Sequence, residues 1–394
     1  MMIAMKNTKR KTIIPLPFIY YFIPVVLFAF GGLLDSVYLS ISHYRVYTDI
    51  GYKSFCAISK AINCDTVSQS PYSIFLNIPV PVWGIVGYAF FLLLLVFAWK
   101  REGEDKQIWT LLFLTALAFS VYSIILAVIS TLYIHSYCIL CLLSFGVNFF
   151  LLYFTWLIRR RFYIHGIFRN VQKDLHYLWA AKKKTFPLMG VFVTGMAALF
   201  FMIPDYWNFS FNELSKELTT GKTVEGYPWI GAPNPVLEIT EFTDYQCFQC
   251  KKMHFFIRNL VGQQPDKIRL IHRHYPMDHQ FNPIVREPFH VGSGKLALLS
   301  IYAAKKEKFW ELHDLLFDVG QQKGEIDIKA LSVKIGLGEK DLLHAFFDKE
   351  TRMHLDSDIR SGLKLGISGT PAYVINGKLY LGQVPADVLS WIVD

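Results

Sequence analysis

The stretch Tyr137-Cys138-Ile139-Leu140-Cys141 leads directly into an apolar run over residues 142–158. Most Cys-x-x-Cys pairs sit in soluble redox domains or zinc sites, facing water. This one stands at the mouth of a segment that reads as membrane-spanning. Positions three apart share a face of a helix, so both sulfurs can look the same way. A dithiol at a membrane surface can exchange electrons with a soluble thiol on one side and a lipid-soluble carrier on the other. The remaining four cysteines also come as two pairs along the chain, Cys56/Cys64 and Cys247/Cys250. Three pairs with no thiol left over is the pattern of an electron relay.

The composition agrees with a membrane location. Of 394 residues 53% are hydrophobic and only 18% charged, and the mean hydropathy of +0.31 is too high for a soluble protein of this length. The apolar residues concentrate before position 205; beyond it the composition is that of a soluble domain. The net charge of +9 is assigned to basic flanks of membrane helices, so no nucleic-acid partner is expected.

Residues 1–15 form a basic tail expected to be cytoplasmic. Apolar spans are expected near 17–40, 81–99, 108–133, 137–158 and 186–203. A cleaved signal peptide would have a shorter apolar core followed by a small-residue cleavage site, so the first run is read as a span. The expected organisation is a four-helix membrane domain at 16–160, a basic cytoplasmic loop at 161–185, a fifth transmembrane helix at 186–204, a linker at 205–234 and a soluble α/β domain at 235–394. Sidedness follows from the basic residues. Lys6, Lys9, Arg10 and Lys11 in the tail, Lys100, Arg101 and Lys106 after the second span, and the eight from Arg159 to Lys184 fall on one side. Only Arg45, Lys53 and Lys60 lie in the loop on the other. A cytoplasmic N-terminus then puts all six cysteines outside, where disulfides persist.

In the soluble part an apolar run at 236–242 has strand character. It stops at Asp244-Tyr245-Gln246-Cys247-Phe248-Gln249-Cys250, after which residues 251–260 have helical spacing. A second strand is expected at 268–274, a helix at 294–317, and a hairpin of 372–375 and 378–381 around Asn376-Gly377, a strong turn signal. A Cys-x-x-Cys between strand and helix places the first sulfur at a helix N-terminus, where the dipole and unsatisfied N–H groups favour a thiolate nucleophile. That is the thioredoxin arrangement. A zinc half-site is the alternative, but no second Cys/His pair stands at suitable spacing. Ser368-Gly369-Thr370-Pro371-Ala372 is similar to the cis-proline loop of thioredoxin-like proteins. Glu241 stands where that fold often has a buried acid assisting proton transfer; an edge-strand carboxylate is its plainer reading. His272, His274, His279 and His290 show no ligand spacing and are expected to be solvated, and no metal is expected. Asp35, late in the first span, is costly there; it either reaches the outer interface or has a function. Cys56 and Cys64 form either a static brace or a transfer pair, and the two other pairs facing the same compartment favour transfer.

Cys56-x7-Cys64, Ser70, Pro71-Tyr72, the glycine-containing second span and Cys138-x-x-Cys141 together resemble the vitamin K epoxide reductase (VKOR) family. The C-terminal part resembles DsbA and its relatives through Phe242-Thr243-Asp244-Tyr245-Gln246-Cys247, Phe309-Trp310-Glu311-Leu312-His313-Asp314 and Gly369-Thr370-Pro371. The fusion resembles the bacterial branch of VKOR proteins. Cys-Phe-Gln-Cys replaces the Cys-Pro-x-Cys common in DsbA-like domains, and this dipeptide tunes reduction potential.

The resemblance implies a VKOR-like all-α bundle around a quinone of the ubiquinone or menaquinone type, a fifth helix as tether and a thioredoxin-like domain outside a bacterial inner membrane. Electrons from reduced exported proteins would enter at Cys247/Cys250, pass to Cys56/Cys64, then to Cys138/Cys141, and leave to the membrane quinone pool. Cys141 would face the quinone, and Ser70 would hydrogen-bond either within the loop or at the quinone; Asp35, Glu241 and Pro371 would support. Two alternatives are a reductive relay feeding an extracytoplasmic isomerase, which needs a cytoplasmic thiol the sequence lacks, and a metal-binding membrane scaffold without redox cycling.

Overall fold

The computed structural model describes residues 16–385 and 388, apart from positions 60, 100–106, 163, 165, 212–214, 216 and 322–325. Lys6, Lys9, Arg10, Lys11, Lys60, Lys100, Arg101 and Lys106, used above for sidedness, lie outside the described residues. The chain divides into two units, residues 1–46 with 53–204 and residues 47–52 with 205–394.

The first unit is helical. Its elements are α1 (Ile19–Thr48), α2 (Cys64–Gln69), a minimal hairpin of β1 (Ile74–Phe75) and β2 (Ile78–Pro79), α3 (Val80–Ala98), α4 (Trp109–Ile129), α5 (Ile139–Arg161), α6 (Ile167–Ala180) and α7 (Lys182–Met202). A π-helical turn, Ser130–Ile134, extends α4. Among the described residues five helices are long and apolar enough to cross a membrane: α1, α3, α4 with its π turn, α5 and α7. A helix satisfies its backbone polar groups internally, which is what such apolar runs need in lipid. Phe22, Val25 and Ala29 of α1, Phe91 and Leu94 of α3, Leu112 and Ala116 of α4, and Leu151 and Ile158 of α5 build the common core. A side chain at Gly32 would collide with the Tyr88 ring, so this glycine lets α1 approach α3. Helix α7 leans on α3 through Phe90–Phe192 and Trp83–Phe200 ring contacts.

Two segments differ from expectation. The first helix continues to Thr48, so the outer loop starts later. Within 161–185, read as a loop, residues 167–180 form α6, and its Asp174 carboxylate accepts from the N–H groups of Ile108 (2.7 Å), Thr110 (3.1 Å) and Leu111 (3.2 Å). Those N–H groups have no partner inside α4, so a distant carboxylate caps that helix and folds α6 back.

The second unit holds a six-stranded sheet in the order β3-β4-β6-β5-β7-β8, built from β3 (Thr220–Lys222), β4 (Pro228–Gly231), β5 (Leu237–Thr243), β6 (Ile268–His274), β7 (Ala372–Ile375) and β8 (Lys378–Leu381). Strands β5 and β6 are parallel, and every other neighbouring pair is antiparallel. Helix α8 (Phe248–Gln263) connects β5 to β6, and α9 (Ser293–Lys305), α10 (Phe309–Gln321), α11 (Ile328–Ile335), α12 (Glu339–His344) and α13 (Lys349–Lys364) fill the β6–β7 connection. The run 294–317, read as one helix, is thus two, parted at Lys306–Lys308. The segment 205–234, read as a linker, contributes β3 and β4. Pairing of Trp229 with Ile271 and of Ile230 with Leu270 covers what would be an open edge of β6. Asn376 and Gly377 both have positive φ, 51° and 76°, and this two-residue turn joins β7 to β8.

Candidate functional site

Two of the three cysteine pairs lie together in the helical unit. Cys56 and Cys64 are disulfide-bonded with Cα atoms 5.7 Å apart. Cys56, Cys64 and Cys138 form one buried cluster, with Leu39, Val67, Leu140 and Cys141 packed against it. Backbone hydrogen bonds bring them together. The N–H of Asn63 donates to the Tyr137 carbonyl (2.9 Å) and the N–H of Tyr137 to the Ala61 carbonyl (2.8 Å), so each strand of this small bridge runs directly into a cysteine. The loop is also held by Asn63, whose Oδ1 caps α2 by accepting from the N–H groups of Asp65 and Thr66. Asp65 in turn accepts from the N–H of Ser54 (3.1 Å).

Cys138 is the N-cap of α5, and its sulfur accepts from the N–H of Cys141 at 3.2 Å. Cys138 is buried and Cys141 half-buried. Below Cys141 the same face of α5 carries Ser144 and Asn148, positions spaced by three and four. Ser144 donates to Asp35 of α1, which is buried. Tyr88 of α3 donates to Asn148 (2.7 Å), and Asn148 donates to Ser123 of α4 (2.9 Å). A polar strip thus runs into the apolar bundle from the thiol inward. Such groups at membrane depth are costly and mark functional positions. Ser70 is committed locally: its hydroxyl donates to the Val67 carbonyl at 2.8 Å.

The third pair belongs to the α/β unit. Cys247 is the N-cap of α8, and its sulfur accepts from the N–H of Cys250 at 3.2 Å. Its sulfur also lies 3.5 Å from the Thr370 carbonyl, on the loop where the Thr370–Pro371 peptide is cis. Burial pushes the Cys247 thiol up, but the Cys250 hydrogen bond and the nearby His290 charge outweigh it, and the thiol ends below its ordinary value. Burial, the same hydrogen bond and the Cys247 charge hold Cys250 well above. These directions favour a thiolate at Cys247 and a protonated thiol at Cys250. The active-site turn is pinned by Asp244, which accepts from the N–H groups of Gln246 (2.7 Å) and Met277 (2.6 Å), the Ser293 hydroxyl (2.9 Å) and the His290 ring (3.0 Å). Burial would lower His290, but Asp244 more than compensates and holds it above the usual histidine value.

Beneath the pair the sequence expectation fails for two histidines. His272 and His274 are fully buried, because β6 is an interior strand with helices over its faces. Burial drives them to about 3 and about 4. His274 is held by Asp358 and Ser300. Glu241 lies on the interior strand β5 and is fully buried, not on an edge. Its Oε1 accepts from His272 Nδ1 at 2.8 Å, and burial raises it to about 7. His254 and His313, neither expected from the sequence to be a site residue, have ring nitrogens 3.3 Å apart. His254 follows Cys250 by four residues and so shares its buried face, a signal available in the sequence. His313 offers none, since α10 arrives from some sixty residues away.

Residues 23–156 match the vitamin K epoxide reductase family, and residues 238–393 match the DSBA-like thioredoxin domain. Among curated proteins, a Disulfide bond formation protein D of Bacillus subtilis is 26% identical over 186 residues, 44% of this chain and 78% of that protein. A Na(+)/H(+) antiporter NhaA 3 of Salinispora tropica is 22% identical over 154 residues, 39% of this chain. The chain spans only about a fifth to a quarter of the length of the antiporters it matches. Among solved structures, the thiol-disulfide exchange protein α-DsbA2 of Wolbachia pipientis is 25% identical, covering 43% of this chain and 86% of its own at a TM-score of 0.34. The chain thus joins a vitamin K epoxide reductase family domain to a DSBA-like thioredoxin domain.

Proposed function

We propose that the chain is a membrane thiol–disulfide oxidoreductase that oxidises exported proteins and delivers their electrons to the quinone pool. The observation that carries this reading is the buried cluster of Cys56, Cys64 and Cys138, held in register by the Asn63–Tyr137 backbone bridge. A static brace needs no redox pair beside it; a transfer pair does.

In the proposed sequence, a thiolate of a reduced exported protein attacks the Cys247–Cys250 disulfide at Cys247, with the Thr370–Pro371 loop aligning the incoming chain, and its second thiol releases the oxidised product. Reduced substrate proteins load Cys247/Cys250 with two electrons. Cys247 attacks Cys56 and frees Cys64, Cys250 resolves that mixed disulfide and frees Cys56, Cys64 then attacks the Cys138–Cys141 disulfide at Cys138, and Cys56 resolves this second mixed disulfide, re-forming Cys56–Cys64 and leaving Cys138 and Cys141 reduced. Each exchange forms one S–S bond and breaks one, so the oxidised pair moves outward as electrons move inward. Cys141, Ser144 and Asp35 are the residues that would hold a quinone headgroup, since α5 carries a half-buried thiol one turn from the Ser144–Asp35 hydrogen bond. A quinone supplies a two-electron, two-proton acceptor when bound. Cys141 presents its sulfur toward that strip, and Ser144 and Asp35 hold a proton between them. Ser70 stabilises the loop rather than the headgroup, given its bond to Val67. The positive-inside count supports an outward-facing soluble domain in a bacterial inner membrane.

The test is quinone reduction by the purified full chain in detergent, driven by a reduced unfolded thiol protein. The expected result is turnover that needs all six cysteines. Turnover that persists without Cys56 and Cys64 would overturn the relay.

A further inference from the structure

Glu241 on β5, His254 on α8 and His313 on α10 each turn a ligand atom toward the others, all within 4.8 Å. Three separate elements of the fold meet there, and all three residues are buried. His254 Nδ1 and His313 Nε2 are 3.3 Å apart. Two nitrogens bound to one zinc ion at about 2.0–2.1 Å in tetrahedral geometry stand about 3.3 Å from each other. The outward nitrogens are held as metal-binding imidazoles usually are: His254 Nε2 by Asp314 at 3.0 Å, His313 Nδ1 by the Tyr245 hydroxyl at 2.7 Å. Asp314 is itself fixed by Arg258 at 3.0 Å.

A second observation points to a ligand. Glu241 Oε2 and His272 Nε2 are fully buried and have no hydrogen-bond partner, although the same two side chains are joined through Oε1 and Nδ1. Buried polar atoms are rarely left so. An acceptor oxygen and an imidazole nitrogen, each orphaned beside a pair of facing imidazoles, are groups that a cation satisfies at once. His272 packs on His313 with ring centroids 4.3 Å apart, near enough to supply a fourth ligand after a small shift.

We propose that Glu241, His254 and His313 form a binding site for one divalent transition-metal ion of the zinc class. Imidazole nitrogen with a single carboxylate is the donor set such borderline ions take. The ion would tie β5, α8 and α10 together directly beneath the helix that carries Cys247 and Cys250. It would also engage Glu241, so a loaded domain should exchange thiols more slowly than an empty one.

The experiment keeps metal binding apart from thiol chemistry. The full chain in detergent is reduced, its cysteines are blocked with N-ethylmaleimide, metal is stripped with a chelator, and Zn²⁺ or Co²⁺ is titrated. The expected result is one ion per chain surviving gel filtration, with Co²⁺ giving visible bands of nitrogen and oxygen ligation and no sulfur charge-transfer band. His254→Gln and His313→Gln should each weaken binding at least about tenfold, and Asp314→Asn, which removes no ligand and sits at the partly exposed end, by about tenfold. Failure of the blocked wild-type chain to retain either ion would overturn the site, and His254 and His313 would then be only a hydrogen-bonded pair. Equal binding by wild type and the folded Asp314→Asn and His313→Gln variants would overturn it too. Because the thiols are blocked throughout, the result does not depend on the relay.

Discussion

Cys138/Cys141 and Cys247/Cys250 share one local design and have opposite surroundings. In each, the first cysteine is a helix N-cap whose sulfur accepts from the N–H of the second at 3.2 Å. Around Cys141 stand an apolar bundle and a narrow polar strip ending at Asp35. Around Cys247 stand a backbone carbonyl, the His290 ring and a turn pinned by Asp244. The helix terminus offers each first sulfur the same N–H donor. What differs is the surroundings: apolar helices at one pair, a cis-proline loop and polar side chains at the other.

The comparison breaks first at Cys141. Cys141→Ala is expected to drop thiol-driven quinone reduction below about 1% of the unmodified rate while exchange between Cys247/Cys250 and a peptide disulfide stays within about twofold. Loss of both activities together would mean the pairs are not separable. Next come Cys56→Ala and Cys64→Ala, each expected to slow protein-driven quinone reduction by about tenfold or more. A small dithiol that reaches Cys138/Cys141 directly should restore part of that rate in the loop variants and none of it in Cys141→Ala.

A smaller effect sharpens the soluble half. His290→Ala removes the charge that helps hold Cys247 down, so alkylation of Cys247 near neutral pH, followed by mass spectrometry of its peptide, should slow about two- to fivefold. Cys138 has no such neighbour, and its rate should not change. The smallest effect is on stability. His290 is held above its ordinary value of 6.5 by Asp244, so the folded domain binds that proton more tightly than the unfolded chain. The stabilisation is complete below the unfolded value and lost as pH rises through the folded one. His290→Ala should therefore cost roughly 0.5 kcal/mol at pH 5.5 and nothing at high pH, as read from denaturant midpoints.

Much of this was legible because the signals are local. Five uninterrupted apolar runs announce five helices, and cysteine spacing picks out every thiol. The misreadings share a cause: the deciding partner is remote in sequence. Residues 167–180 look like a basic loop until Asp174 finds the free N–H groups at the start of α4. Residues 220–231 look like a linker until they find the open edge of β6. The histidines of β6 look solvated because alternation cannot reveal that both faces of that strand are covered. His313 joins Glu241 only through the packing of α10, which no spacing encodes.

The bridge between Asn63 and Tyr137 has a consequence for how this protein tolerates change. Its two hydrogen bonds use main-chain atoms alone, so the bridge itself does not depend on which side chains stand at positions 61 and 62. Ala61 and Ile62 are free to drift in identity, and a saturation scan across them should look unremarkable. Proline at 63 or 137 is the exception, because it deletes a donor. The loss should register as stalled electron flow in a protein that still folds.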